Sequence, residues 1–250
     1  MYTLIFVGIQ LVVSGLVSIF LKLLSGSEPS QSVTLLLASQ TAVDVIIIAL
    51  FLFLRWTEVS RSYIRSKPWA VLFWCCIAAV GAVVPSVWLQ EQMPELPNIM
   101  EQQFDMILKD RWGYFVIGLL APVCEELVFR GAILRSLLQW KPEKHWVPIA
   151  ISAFLFALVH GNPAQMPHAF VVGLLLGWLY YRTGSVVPGV AYHWMNNSIA
   201  YVCYNLYPNP DMKLIDLFGT QRTVAAAVLF SLFILLPALY QLNLRMRRAA

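Results

Sequence analysis

Charge is what this sequence has least of: Asp, Glu, Lys and Arg make up 12% of its 250 residues, against 59% apolar ones. A mean hydropathy of +0.69 is far too high for an ordinary water-soluble domain. There is no basic stripe, which argues against nucleic acid as a partner. Cysteine is scarce too. Cys75, Cys76, Cys124 and Cys203 lie in apolar runs with neither zinc-knuckle spacing nor a secreted disulfide pattern, so they read as small buried hydrophobes. The chain has no His-Glu-x-x-His and no Gly-x-Ser-x-Gly, and Ser152 and Ser198 have no base at a fixed spacing. Cys124 abuts Glu125, but adjacent residues diverge on a helix and an apolar setting disfavours the thiolate. The N-terminus lacks a basic n-region, and its apolar run, 1–24, is longer than a signal-peptide core, which favours a retained first span.

What the chain does have is long apolar runs. Windows of about 20 residues mark eight candidate spans, at 2–24, 34–54, 68–89, 112–138, 146–161, 167–182, 186–207 and 223–244. The fold class expected is all-α: one polytopic integral membrane domain over 1–250, its core over 112–207. Orientation follows Lys and Arg in short loops. One alternating set of loops holds Arg55, Arg61, Arg65, Lys67, Arg135, Lys141, Lys144, Arg182, Arg245, Arg247 and Arg248. The other holds Lys22, Lys109, Arg111, Lys213 and Arg222. Eleven cations against five predict eight crossings with both termini in the cytoplasm.

The longest connection, 90–111, is rich in acid and places Met100, Phe104, Ile107 and Leu108 at helical spacing, so the segment 98–110 reads as an amphipathic surface helix that either packs or acts as a lid. Ala169, Gly173 and Gly177 form a small-residue ridge that lets a neighbouring helix approach closely.

One stretch inside the fourth span concentrates the charge: Ala121-Pro-Val-Cys-Glu-Glu-Leu-Val-Phe-Arg-Gly131. Ionised groups at that depth cost several kcal/mol unless paired or wetted, so they read as functional. On a helix Glu126 and Arg130 are i,i+4 neighbours able to pair, whereas Glu125 points about 100° away and stays free. Two further polar pairs sit at the same spacing in later spans, Phe156 with His160 and His193 with Asn197. At 1.5 Å per residue Glu125 lies about 20 Å from the outer end of its span, while His193 is about 12 Å and His160 about 20 Å from the inner ends of theirs. With tilt, the three can meet in one polar cavity, expected to open towards the cytoplasm. Asp44, one turn after Gln40, falls outside these pairs and is left out of the site.

These residues, in order, resemble the motifs of the CPBP intramembrane proteases, the family of CAAX prenyl endopeptidases and of bacteriocin-processing and self-immunity proteins. Glu125, Glu126 and Arg130 match its Glu-Glu-xxx-Arg block, Phe156 and His160 its Phe-xxx-His block, and His193 and Asn197 its His-xxx-Asn block. The resemblance covers about 112–205. It implies an intramembrane endopeptidase in which Glu125 and His160 activate a water, His193 and Asn197 stabilise the oxyanion, Glu126 and Arg130 position Glu125, and Phe156 packs under His160. It also implies a peptide or lipidated protein as substrate, membrane lipid as the medium, and a compact member suited to a prokaryotic cell membrane. Asn162 and Gln165 could orient a histidine or a substrate backbone, or simply cap the loop.

Three rival readings use the same residues. Glu125, His160 and His193 could hold a zinc ion with one position open to water, although the coherent assignment is without cofactor. A non-catalytic immunity or scaffold protein would use the bundle to bind a partner. A transporter would use the two glutamates as an ion site, but no inverted repeat is present.

Overall fold

A computed structural model describes residues 1–25, 32–207, 209 and 212–247. Arg248, part of the basic tail, lies outside the described residues. All eight expected spans are helical, and no strand occurs among the described residues: this is an all-α polytopic membrane protein. In chain order come α1 (Tyr2–Ser25), α2 (Val33–Phe53), the short α3 (Arg61–Arg65), α4 (Trp69–Glu91) and α5 (Glu101–Lys109). A long motif helix follows over 114–140, then α8 (Trp146–Val159), α9 (Met166–Thr183), α10 (Val187–Leu206), the short α11 (Leu214–Phe218) and α12 (Gln221–Arg245).

Four of these are long and apolar enough to cross a membrane on length and composition: Tyr2–Phe20, Val33–Phe53, Trp69–Glu91 and Gln221–Arg245. Their outward faces, for example Leu4, Leu11 and Phe20 on α1 and Phe230, Phe233 and Leu236 on α12, are exposed, as helices solvated by lipid require. The motif helix, α9 and α10 carry the polar residues and lie in the middle of the packing.

The motif helix changes width along its length. It begins as a π-helix (Tyr114–Leu120), narrows to α6 (Ala121–Glu126), widens again over Leu127–Leu134 and ends as α7 (Arg135–Trp140). Such widened turns leave peptide groups poorly matched, and they recur at functional sites. Here side chains from other elements make up the shortfall. Thr57 Oγ1 donates to the Leu127 carbonyl at 2.6 Å and Ser152 Oγ to the Phe129 carbonyl at 2.9 Å. Gly131 permits the first contact, since a Cβ there would lie 2.1 Å from Thr57 Cγ2.

Close packing elsewhere also rests on small residues. A Cβ on Gly173 would come within 2.9 Å of the Ala153 Cβ, and one on Gly177 within 2.8 Å of Ile149 Cγ2, so the predicted ridge on α9 is the seam with α8. Of the cysteines, Cys75 and Cys124 are buried as expected, but Cys203 is exposed on α10, contrary to the reading of all four as buried.

The connections sort into two ends. At one, Arg135 pairs with Glu58 at 2.6 Å, and Arg182 binds the Asn243 side chain and, at 2.8 Å, its carbonyl. At the other, Leu214 N donates to Glu91 Oε1 at 2.6 Å, and α5 is held to α10. Tyr204 donates to Asp105, Asn205 Nδ2 to the Leu108 carbonyl at 3.1 Å and Tyr201 to the Asp110 carbonyl at 3.2 Å. The two alternating loop sets thus occupy opposite ends of the bundle. The amphipathic segment forms as a helix over Glu101–Lys109 and is docked there against α2 and α10.

Candidate active site

Glu126 and Arg130 form the expected pair, Arg130 Nη1 to Glu126 Oε1 at 2.9 Å, with both side chains essentially inaccessible. Burial of two charges is tolerable only when further groups satisfy them. Arg130 Nη2 donates to the Gly173 carbonyl at 3.3 Å, and its guanidinium lies 4.3 Å from the centre of the Phe156 ring. Glu126 Oε1 also faces His193 Nδ1 at 3.3 Å. Gly189 allows this approach of α10, because a Cβ at that position would stand 2.5 Å from Glu126 Oε2.

Glu125 makes no direct hydrogen bond to His193 but stands close to it. Its Oε2 lies 3.6 Å from His193 Nε2, so one imidazole stands between the two adjacent carboxylates. Divergence of neighbouring residues on the helix puts the two carboxylates on either side of the ring. Glu125 keeps 23% of its side chain accessible where Glu126 has none. The distance of 3.6 Å is too long for a direct hydrogen bond and leaves Glu125 able to engage another group.

Phe156 organises the remaining residues. Its ring meets His160 edge-on at 4.8 Å and His193 edge-on at 5.8 Å between centroids, with Arg130 on it as well. His160 caps α8, and its Nδ1 is 2.8 Å from the Phe156 carbonyl, which fixes the ring and turns Nε2 to the other side. Just beyond, Gly161 adopts φ +62 and Asn162 is fully buried. Asn162 donates to Asn98 Oδ1 at 2.7 Å and accepts from Ile99 N at 3.2 Å, so of its two readings the loop contact is the one observed. The His160 side of the site therefore borders the connection 92–100, at the end opposite the Arg-rich loops.

Asn197 donates from Nδ2 to the Ile117 carbonyl at 3.0 Å. In the π-helical stretch Ala121 N–H reaches back to the Val116 carbonyl. By the same step the Ile117 carbonyl should accept from residue 122, which is proline and has no N–H. Asn197 supplies the missing donor from α10, with its second amide hydrogen left over.

Two side chains outside the predicted set lie near the site. Asp44, buried on α2 and bonded to Gln40 at 3.1 Å, is within electrostatic range of Glu125. His168, in the first turn of α9, is within range of both His160 and His193. A signal for His168 was available, since it is one of only four histidines and lies inside the predicted sixth span. Among the described residues, no group of three His, Cys, Asp or Glu side chains converges as a metal-ligand set. Glu125, His160 and His193 are thus not gathered as a zinc-ligand set in this arrangement.

Residues 108–199 match the family model described as Type II CAAX prenyl endopeptidase Rce1-like. The CPBP resemblance is borne out over this core. UPF0177 protein YxdF of Lactococcus lactis subsp. lactis (strain IL1403) is 28% identical over 105 residues, which is 42% of this chain and 52% of that protein. The chain thus spans about half the length of this curated relative. No solved structure matches. The matched stretch contains all seven motif residues, from Glu125 to Asn197, while α1, α2, α4 and α12 lie outside it.

Proposed function

We propose that this protein is an intramembrane endopeptidase of the CAAX-protease type that hydrolyses a peptide bond with a water activated by Glu125 and His160. The observation that carries this reading is the placement of His193 between Glu125 and Glu126, with only Glu125 accessible. A buried carboxylate fixed by Arg130 holds the imidazole, and the imidazole faces the carboxylate that can still reach a reactant. Glu125 serves as general base and passes the proton to the departing amine. Phe156 packs against His160 and sets its ring angle.

His193 and Asn197 donate to the oxyanion of the tetrahedral intermediate. Nδ1 is engaged with Glu126, so the donation to the oxyanion comes from Nε2. Asn197 uses the amide hydrogen not committed to Ile117. One such donor is typically worth about 10²–10³ in rate. No metal takes part in this scheme.

The substrate is a membrane-associated peptide or a lipidated protein, and the protein resides in a prokaryotic cell membrane with both termini in the cytoplasm, as the eleven-to-five distribution of cations supports. The test is peptide cleavage by purified protein in lipid, comparing wild type with Glu125→Gln and His160→Ala. Loss of cleavage in both with folding retained supports the reading. An immunity or scaffold function predicts that both variants keep the phenotype.

A further inference from the structure

The end of the bundle that carries the Arg-rich loops has a pocket remote from the motif residues. It has a volume of about 600 Å³ and lies between α3, the start of α4 and the end of α12. Its polar lining is Tyr63, Ser66, Lys67, Gln241, Arg245 and Arg247, with Val71 and Leu244 beside them, and no carboxylate lines it. Lys67 and Arg247 have no acidic partner among the described residues, and Arg245 spends only Nε, on Gln241 Oε1 at 3.0 Å. Elsewhere at this end Arg135 is neutralised by Glu58.

Two more features point the same way. The 23-residue α4 begins at this pocket without a side-chain cap, so the positive end of its dipole is open to an anion. Tyr63 is 3% exposed, and its buried hydroxyl has no hydrogen-bond partner. An unsatisfied buried hydroxyl is costly, and a ligand oxygen reaching it from the pocket would relieve it. Burial, together with nearby Cys75, pushes the phenol up to about 12, so it remains a proton donor at neutral pH.

We propose that this pocket binds the phosphodiester headgroup of an anionic membrane lipid. Lys67, Arg245 and Arg247 supply the charge, and the Tyr63 hydroxyl donates to a phosphoryl oxygen. The lipid source is favoured over free phosphate because α4 and α12 are both long enough to span. The pocket at their ends therefore lies at headgroup depth, with exposed Trp69 and Leu244 beside it for the acyl chains. Basic pockets between helices are a recurrent way of holding such headgroups.

The test uses the full-length protein purified in detergent, with lipid retention read by native mass spectrometry. The probes are phosphatidylglycerol, phosphatidylcholine and inorganic phosphate. Wild type is expected to retain phosphatidylglycerol over phosphatidylcholine, and K67Q/R245Q/R247Q to lose about tenfold or more of that preference. The control R55Q/R61Q/R65Q removes the same charge at the same end and should leave it unchanged. Tyr63→Phe, which keeps the packing, should weaken retention by about tenfold. Equal retention by the pocket variants, or equal loss in the control, would overturn the site. Inorganic phosphate that displaces the lipid and needs the same three cations would put a free anion there and overturn the lipid assignment.

Discussion

Asn197 and Ile117 are joined by a hydrogen bond of 3.0 Å that exists because of a third residue, Pro122, which cannot give the Ile117 carbonyl its backbone donor. The bond ties α10, which carries His193, to the helix that carries Glu125. Asn197 therefore has a positioning role alongside its proposed donation to the oxyanion.

The two roles separate in a double-mutant cycle. Asn197→Ala is expected to cost about 1 kcal/mol of stability by stranding a half-buried carbonyl. Adding Pro122→Ala restores a backbone N–H at that point and should recover most of the stability, but not the part of the rate due to oxyanion donation. Thermal or denaturant unfolding and turnover of the four proteins would show this, and purely additive stability effects would contradict it.

The Glu126–Arg130 pair should behave as a unit. Arg130→Ala leaves a buried unpaired carboxylate and should cost about 3–5 kcal/mol. Arg130→Lys keeps the charge but loses the planar fork that reaches Glu126 and Gly173 while lying on Phe156, so it should rescue only part of the loss. Full rescue by lysine in unfolding measurements would show that only charge matters here.

Most of the fold was legible because each apolar run had the length a bilayer demands, and the helix ends follow the expected ones closely. The pairing of Glu126 with Arg130 was legible for a similar reason, being local to one helix. Contacts set by tertiary packing were not. That one histidine stands between two adjacent glutamates depends on how α10 docks, which the close approach at Gly189 permits. The widened turns around Pro122 likewise have no period of their own in the sequence. Asp44, whose only partner at helical spacing is Gln40, and His168 could not be placed at the site, because only packing reveals their proximity to it.

The docking of α5 should depend on pH. Hydrogen bonds from Lys109 and then Tyr204 hold the Asp105 carboxylate below its ordinary value of 3.8. A lowered folded value means the contribution is complete above the unfolded pKa and is lost as pH falls through the folded one. Protection of the α5 amides, taken relative to the intrinsic exchange rate at each pH, should therefore fall on acidification below about pH 4, and Asp105→Asn should be weakly protected at all pH values. Unchanged protection across that window would contradict the assignment.

Chelation should leave cleavage intact, since no three ligand side chains converge among the described residues. Metal analysis of active protein is the check. Stoichiometric zinc whose removal abolishes cleavage, and whose return restores it, would replace the metal-free scheme.

The central claim, that the accessible carboxylate of Glu125 does the chemistry, is tested most directly by comparing membrane proteomes of cells carrying wild type and Glu125→Gln. The substitution preserves shape and removes the base. A precursor peptide or protein that accumulates uncleaved in the variant, at equal abundance of folded protein, is the predicted result; identical processing in both would contradict it.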